Sequence, residues 1–270
     1  MTATMSKVVM LGTMVACACA AALAGGTKVS TLAKEKVVIV PAHPDDLIST
    51  IGFCLLARDT FEVHVVDFTH GERGLGLEGF TNGVAKATRI KEEESVCAAV
   101  GATLHWLDEV DGDAYACRET CWRLADLLKE LRPRAVFGHW PVDIHGDHMM
   151  AGATLMKAVF LAEITPEFYF FEEEYQSKAF VPDHYLDIGS VRERKYEIVR
   201  MYKCQYRDGG IERRHRAAEM YHGMHTAMLA SGQAEAFKSL FPVLQGQRSI
   251  FQELQPTSRG KPKFQGARVR

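Results

Sequence analysis

The sequence predicts an α/β fold built around a largely parallel sheet. Short apolar runs alternate with longer stretches of helical periodicity from residue 37 to residue 162. Two of these runs, at 37–40 and 135–140, are followed by a proline and then by a cluster of histidine and aspartate. Loops at the carboxyl ends of parallel strands are where open α/β sheets bind their ligands. The fold class therefore also predicts where the functional site lies.

The composition is that of an ordinary globular protein. The 270 residues suffice for one large domain or two small ones, and the hydrophobic (47%) and charged (24%) fractions exclude disordered and collagen-like classes. The formal net charge is −2 with acids and bases interleaved, so nucleic acid or an anionic membrane is not expected as a partner. Residues 256–270 are basic, and we expect a flexible, solvated tail there rather than a binding arm.

The amino terminus differs from the rest of the chain. Lys7 is the only charged residue before Lys28, and an apolar run of small residues ends at Ala24. This pattern predicts a secretory signal peptide over residues 1–24, and hence an exported (periplasmic or extracellular) protein; without it the protein would be cytoplasmic. The alternative is a buried or amphipathic helix of the fold. A stable membrane span is not expected, because strongly apolar side chains are too few over ~20 residues.

Five cysteines lie beyond the predicted leader, and their odd number and scattered positions do not suggest a disulfide framework. Cys117 and Cys121 are four residues apart on a predicted helix, facing the same way. A zinc clip would need two more ligands nearby, and none is evident in the sequence. The pattern therefore favours two small buried hydrophobic residues.

The first three elements follow from local patterns. Residues 37–40 form a short apolar run that stops at Pro41, as a buried parallel strand does. Residues 47–58 are predicted to form a helix packed on the sheet. Residues 61–69, rich in β-branched and aromatic side chains, are predicted as the second strand.

A charged helix is predicted over residues 83–100, with Arg89 on a face opposite Val96. Gly101 is expected to end this helix, because glycine readily adopts the left-handed conformation that helix ends require. Residues 103–107 then form the third strand.

An amphipathic helix is predicted at 118–131, since its pattern stops before Pro133. The fourth strand is predicted at 135–140, and a further helix at 149–162.

The alternation changes beyond Pro166. Residues 167–174 and 184–188 are predicted as extra strands, followed by helices at 191–204 and 212–229. We interpret them as a strand and helix region appended to the same domain.

Two clusters of metal-ligand residues follow the first and fourth strands: His43-Pro44-Asp45-Asp46 and His145-Gly146-Asp147-His148. If they converge, two imidazoles and a carboxylate from His43, Asp46 and His148 form a three-ligand site with a fourth position left for water, as in catalytic zinc sites. Asp45, beside a ligand, is placed to take a proton from that water.

The remaining two residues of the second cluster have predicted roles as well. Asp147 is a candidate acceptor from a neighbouring imidazole, whose tautomer it would fix. His145 is a candidate to polarise a carbonyl group or to protonate a leaving amine. The other eight histidines are interpreted as ordinary surface or satisfied core residues: His64, His70, His105, His139, His184, His215, His222 and His225.

Each cluster alone has a simpler interpretation. The first is a plausible turn in which an aspartate caps the following helix, and the second a polar helix start. Their occurrence at equivalent positions of two strand–helix units favours the shared site.

The two clusters, together with several later segments, resemble those of the PIG-L/LmbE family of zinc-dependent N-deacetylases. The segments that carry the resemblance are Ala42–Asp46, Thr69–Gly74, Arg89 with Glu92, His145–His148, Asp187-Ile188 with Lys195 and Gln205, and Ala234–Phe237. They span roughly residues 36–240, in the expected order.

The resemblance implies a Rossmann-like fold with helices on both sheet faces, in a deacetylase domain over residues 25–255. It also implies one zinc ion, or another divalent metal, on His43, Asp46 and His148, with Asp45 as general base. His145 would stabilise the oxyanion with support from Asp147. The usual substrate of the family is an N-acetylglucosamine conjugate, hydrolysed to the free amine and acetate.

Two positions depart from the family pattern. Leu47 stands where the family commonly has glutamate after the two aspartates, which leaves the ligands intact but removes a polar group beside them. Gly146 replaces the commoner proline and loosens the turn before His148.

The predicted function is therefore a metal-dependent amidohydrolase acting on an amino-sugar conjugate. The alternative is a non-catalytic protein that binds a sugar or another ligand on the same fold. A dinucleotide-binding protein is not expected, because no Gly-x-Gly-x-x-Gly loop follows the first strand.

Overall fold

The first apolar run lies in the interior of a seven-stranded sheet. A computed structural model describes residues 33–74, 81–225, 231–241 and 246–255. In it, strand β1 (Lys36–Val40) pairs in parallel with a strand on each side, and four of its five residues are buried. This burial is expected of a strand that helices cover on both faces.

The remaining strands are β2 (Glu62–Thr69), β3 (Ala102–Glu109), β4 (Ala135–His139), β5 (Glu167–Phe171), β6 (His184–Asp187) and β7 (Ala234–Ser239). The helices are α1 (Ile51–Ala57), α2 (Asn82–Val100), α3 (Arg118–Leu131), α4 (Gly146–Ala162), α5 (Arg192–Val199), α6 (Lys203–Tyr206), α7 (Gly210–His225) and α8 (Ile250–Leu254).

The strand order is β3-β2-β1-β4-β5-β7-β6, in which β7 alone runs antiparallel to its neighbours. The predicted α/β class with a mostly parallel sheet is confirmed, and so is the appended region, which supplies β6 and β7. Helices α1, α2 and α5 pack on one face of the sheet, and α3 and α4 on the other. The order reverses between β1 and β4, and this switch point is where such sheets bind ligands.

Most predicted elements are present with altered bounds. The helix predicted at 47–58 starts as a short 3₁₀ helix, Asp46–Thr50, before α1. Helix α4 begins at Gly146, three residues earlier than predicted, which places His148 in its first turn. The helix predicted at 191–204 is divided into α5 and α6. Strand β7 and helix α8 were not predicted.

Gly101 ends α2 as predicted, with φ 79° and its N–H bonded to the helix carbonyls. The orientation predicted for Arg89 is wrong, because Arg89 and Val96 are both buried. Seven residues make nearly two helical turns, so positions 89 and 96 share a face. The charged residue therefore points into the protein.

The appended region supports the start of α1. Glu235 on β7 accepts hydrogen bonds from the backbone N–H groups of Gly52 and Phe53, each at 2.7 Å. The Lys195 ammonium lies 2.7 Å from Glu235 and 2.7 Å from Glu219, and all three side chains are buried. We refer to these three residues as the lysine cluster. It satisfies backbone donors that a helix start leaves open.

The described residues from Lys34 onward form one compact unit, and none of their helices is long and apolar enough to cross a membrane. Cys121 is buried as expected, whereas Cys117 is half-buried just before α3. The predicted signal peptide at 1–24 and the predicted tail at 256–270 lie outside the described residues, as do residues 226–229 at the end of the helix predicted at 212–229.

Candidate metal centre and active site

The two predicted clusters meet at the carboxyl ends of β1 and β4. One oxygen of Asp46 (Oδ2) lies at the centre: it is 3.2 Å from His43 Nδ1, 3.3 Å from His139 Nε2 and 3.4 Å from His148 Nε2. The same oxygen accepts the backbone N–H of His43 at 2.9 Å. Three imidazoles around one buried carboxylate form a donor set suited to a divalent cation.

Two further carboxylates orient the imidazole of His43. Its Nε2 lies 3.0 Å from Asp147 and 3.4 Å from Asp111. A proton on Nε2 donated to one of these carboxylates leaves the lone pair of Nδ1 directed at Asp46. Such outer carboxylates fix the tautomer of metal-binding histidines and raise their basicity. Asp147 thus contacts a neighbouring imidazole as predicted, but that imidazole is His43.

A separate carboxylate orients His148. Asp143 Oδ1 lies 3.3 Å from His148 Nδ1, on the side of the ring away from Asp46. Asp143 is held by the backbone N–H of His145 at 2.8 Å and by the Ser177 hydroxyl at 2.8 Å. Nε2 of His148 is thereby left facing Asp46.

His139 is a site residue that the sequence analysis missed, since it was interpreted as an ordinary histidine. It is fully buried at the end of β4, and its Nε2 accepts the backbone N–H of Ala42 at 2.9 Å. Because that lone pair is already engaged, His139 positions the loop rather than offering a free ligand. Burial lowers its pKa to about 4, so it stays neutral near Asp46.

The charges around the centre favour a cation there. Burial raises the pKa of the Asp46 carboxyl, but the nearby His148 and the hydrogen bond to His43 outweigh that effect and hold it well below its usual value. Burial also opposes a charge on His43, yet hydrogen bonds to Asp111, Asp147 and Asp46 raise the pKa of His43 well above its usual value. The ionised carboxylates create a negative potential that a proton or a metal ion relieves.

The predicted ligands fit a metal by the chemistry of their donors. Nδ1 of His43 and Nε2 of His148 face one oxygen of Asp46, and the second nitrogen of each ring faces a carboxylate. Two histidines with one carboxylate form a ligand set of catalytic zinc enzymes. Three sets of described donors lie within 4.8 Å of one another: His43, His145 and His148; Asp46, His139 and His148; His43, Asp111 and Asp147. The centre can therefore hold a metal ion.

Asp45 has an uncommon backbone conformation and is held by a buried arginine. Its φ of 117° lies in a region that non-glycine residues seldom adopt, a feature that concentrates at functional sites. The buried Arg89 guanidinium contacts Asp45 Oδ1 and the Pro44 carbonyl, and donates to the Gly71 carbonyl at 3.2 Å. Burial raises the pKa of Asp45 to about 7, against the opposing effect of Arg89. This is the range of an effective general base.

His145 lies beside both candidate ligands. Its ring centroid is 4.7 Å from that of His43 and 4.6 Å from that of His148. Nδ1 accepts the backbone N–H of Asp147 at 3.3 Å, so in the neutral ring Nε2 carries the proton. Burial, followed by the charges of His43 and His148, lowers the pKa of His145. A neutral imidazole with an available N–H is suited to donating a hydrogen bond to a substrate.

The two departures from the family pattern are structurally compatible with the site. Leu47 is fully buried in the hydrophobic cluster beneath the sheet and packs where a glutamate would need a partner. A Cβ at Gly146 would meet no atom within 4 Å, so this position does not require glycine for space.

A polar cavity of about 400 Å³ opens at Asp45 and Asp46. One wall is the turn at residues 173–176 after β5, and the other is formed by residues 205–215 of α6, α7 and their connection. Five carboxylates and two guanidinium groups line it: Asp45, Asp46, Glu173, Glu174, Asp208, Arg207 and Arg214. The volume lies in the range of about 300–1,000 Å³ typical of small-molecule sites.

Fold and site together define an α/β protein with a histidine–aspartate cluster, able to hold a metal ion, at the switch point of a mostly parallel sheet. Residues 38–159 match the PIG-L family, described as GlcNAc-PI de-N-acetylase. The chain thus carries a PIG-L family match over these residues, and the solved structures similar to it include deacetylases and hydratases.

The similar proteins are of both kinds. A 4-oxalmesaconate hydratase of Pseudomonas putida is 28% identical over 186 residues, covering 62% of this chain and 72% of that protein. The crystal structure of 4-carboxy-2-hydroxymuconate hydratase from Pseudomonas putida KT2440 has a TM-score of 0.64 and 25% identity, covering 80% of this chain and 100% of that one.

N,N'-diacetylchitobiose deacetylase from Pyrococcus horikoshii has a TM-score of 0.68 and 23% identity, covering 82% of this chain and 88% of that one. At this identity the similarity shows a shared fold. The comparisons therefore support a PIG-L-type fold with a family match at residues 38–159, and they do not decide between hydrolysis and hydration.

Proposed function

We propose that the protein is a zinc-dependent hydrolase that removes the N-acetyl group from an N-acetylglucosamine-type conjugate. The observation that carries the proposal is the arrangement of His43, Asp46 and His148 around one point, with Asp45 beside them at the floor of a polar cavity. Metal ligands alone would suit a binding protein. An adjacent carboxylate with a pKa near neutrality is the additional feature that hydrolysis requires.

A zinc ion held by His43, Asp46 and His148 would supply a Lewis acid and lower the pKa of water at the site. The cation would also stabilise the ionised form of the nearby Asp45, since a bound ion dominates local electrostatics. Asp45 then accepts a proton from the attacking water. Arg89 contacts one oxygen of Asp45 and keeps the carboxylate directed into the cavity.

His145 acts on the other side of the amide bond. Its Nε2–H donates to the carbonyl oxygen as negative charge develops there, which is the role of an oxyanion-hole donor. The proton taken up by Asp45 passes to the nitrogen that leaves as an amine. Asp111 and Asp147 hold His43, and Asp143 holds His148, so that the ligand nitrogens keep their orientation.

Hydration of an unsaturated polycarboxylate is the second candidate, and the 28% identical hydratase is the observation that favours it. The cavity favours a neutral substrate instead. Its carboxylates outnumber its guanidinium groups, and Arg214 is already paired with Glu174 at 2.6 Å. Binding several substrate carboxylates would require unpaired cations, since a buried anion without a partner is strongly disfavoured. Sugar hydroxyl groups can bond to the same lining without that cost.

The deciding experiment measures acetate release by the zinc-loaded protein from a panel of N-acetylglucosamine conjugates. We expect turnover with about one zinc per chain. In Asp45→Asn we expect kcat to fall by about 10²- to 10⁴-fold, the usual contribution of a general base, with the zinc content retained.

Asp59→Asn is the matched control, because Asp59 is an exposed aspartate in the turn after α1. It should leave turnover unchanged. Full activity in Asp45→Asn would show that Asp45 is not the general base. Water addition to 4-oxalmesaconate can be measured as a loss of ultraviolet absorbance. If the protein catalyses this addition and releases acetate from none of the conjugates, it is a hydratase instead.

A further inference from the structure

The cavity extends beyond the metal centre to an exposed aromatic ring. Glu173 lines the same cavity as Asp45 and Asp46. Tyr175 follows two residues later in the same wall, at most about 7 Å further along the chain. Its side chain is 57% exposed although it lines the cavity. The cavity that opens at Asp45 and Asp46 therefore also contains an exposed aromatic ring that is not one of the candidate ligands or catalytic residues.

The ring of Tyr175 packs against an arginine that is itself bonded to a glutamate. The Arg214 guanidinium lies 5.2 Å from the ring centroid, as in a cation–π contact. Arg214 in turn donates to Glu174 at 2.6 Å, and Glu174 lies 2.9 Å from His215 Nε2. Since Glu174 also has a positive φ of 21°, the backbone of this turn is held in an uncommon conformation. A ring held this way binds with little loss of conformational entropy.

The surroundings of the ring define what it can bind. A pyranose presents an apolar face of C–H groups and a rim of hydroxyl groups. The exposed ring of Tyr175 matches the apolar face, and the amides of Gln176 and Gln205 line the same cavity as partners for hydroxyl groups. The charge of Arg214 is compensated by Glu174. These features select a neutral ring with polar edges over an anionic group.

We propose that Tyr175, supported by Arg214 and Glu174, forms a subsite for a second pyranose ring. The substrate class is then an oligosaccharide or glycoside in which a further sugar is linked to the N-acetylated one. This inference rests on the proposed function, because that function places the first sugar at the metal centre.

Binding measurements test the subsite without depending on turnover. Zinc-loaded Asp45→Asn is titrated calorimetrically with N-acetylglucosamine and with the β-1,4-linked disaccharide of N-acetylglucosamine. Adding Tyr175→Ala should lower the preference for the disaccharide, measured as the ratio of the two Kd values, about tenfold, which is the size of an aromatic stacking contribution. Tyr175→Phe, which keeps the ring, should restore the ratio.

Tyr221→Ala is the matched control, because Tyr221 is 56% exposed and lines a different groove, on α7. It should leave the ratio as it is. An unchanged ratio in Tyr175→Ala, an equal loss for both sugars, or no disaccharide binding would each overturn the subsite. A shifted ratio in a protein whose wild type releases no acetate would uphold the subsite and refute the deacetylase instead.

Discussion

Two buried polar clusters lie in the same core, and they balance their charges differently. In the lysine cluster, one ammonium lies 2.7 Å from each of two carboxylates, and Glu235 also accepts two backbone N–H groups of α1. In the metal centre, three imidazole nitrogens lie within 3.4 Å of one oxygen of Asp46, and three more carboxylates stand behind two of the rings.

The difference separates a structural cluster from a functional one. In the lysine cluster both carboxylates lie within ion-pair distance of one ammonium, and Glu235 also accepts backbone N–H groups, so the counter-charge comes from within the chain, as a buried ion pair requires. The metal centre collects lone pairs that only an added proton or cation can satisfy. This property, rather than burial or the number of polar residues, identifies the site.

Breaking the lysine cluster should have the largest effect. Lys195→Met leaves Glu219 and Glu235 buried without their counter-ion, so we expect the free energy of unfolding to fall by about 3–5 kcal/mol. Urea denaturation of the zinc-loaded protein measures this as a lower midpoint with an unchanged slope. The zinc content of the folded fraction should stay the same.

The double variant Lys195→Met/Glu219→Gln is the control for that experiment. It removes one of the stranded carboxylates, and it should regain part of the lost stability. A drop of less than about 1 kcal/mol, the range of exposed pairs, would show that Lys195 is not an essential counter-ion.

Altering the metal centre should instead change metal affinity. Asp143→Asn keeps an acceptor for the backbone N–H of His145 but removes the negative charge facing His148 Nδ1. Because such outer partners are worth 10- to 100-fold in metal affinity, we expect the zinc dissociation constant to rise by about that factor. Competition with a chromogenic chelator measures it.

The matched control is Asp183→Asn, which alters an aspartate just before the edge strand β6 that also contacts a histidine, His184, at 2.7 Å. Zinc affinity should not respond to it. Equal zinc affinity in Asp143→Asn and the wild type would show that His148 is oriented by other contacts.

The sequence was sufficient for those parts of the site that are local. His43, Asp45 and Asp46 follow a strand directly, and a strand that ends in such residues predicts a site at its carboxyl end wherever the strand pairs. His145 and His148 were identified by the same rule, whereas the pairing of β1 with β4 became known only from the structure. The parallel order of the sheet was predicted because strand–helix alternation permits little else.

The residues that were missed act across the sheet or the helix. His139 lies inside a strand, where a single histidine is indistinguishable from a core residue until the neighbouring strand brings Ala42 and Asp46 to it. Asp143 and Asp111 stand in loops, and only the fold shows which imidazoles they face. The signal available in the sequence was that each of these two aspartates follows closely after the end of a predicted strand.

Strand β7 was missed for a related reason. Its segment carries Glu235 between two alanines, and neither residue favours strands. The carboxylate is satisfied by α1 and Lys195, which lie 183 and 40 residues away in the sequence. Tertiary contacts therefore decide this element, and local propensity does not.

A further buried carboxylate, that of Glu93, belongs to neither cluster. Glu93 on α2 is fully buried, and one of its oxygens (Oε2) has no hydrogen-bond partner. Burial raises the pKa of Glu93 from 4.5 to about 7, so the folded protein keeps a proton there that the unfolded chain has lost. The stabilisation of the folded state by this bound proton is fully present below pH 4.5 and is lost as the pH rises through 7.

Between pH 6 and pH 7 the wild type should lose about 1 kcal/mol of unfolding free energy more than Glu93→Gln, since one pKa unit corresponds to about 1.4 kcal/mol. Chemical denaturation of both proteins at the two pH values measures the difference. Parallel pH dependence in the two proteins would mean that Glu93 is ionised in the folded state, with Arg89 rather than a proton as its counter-charge.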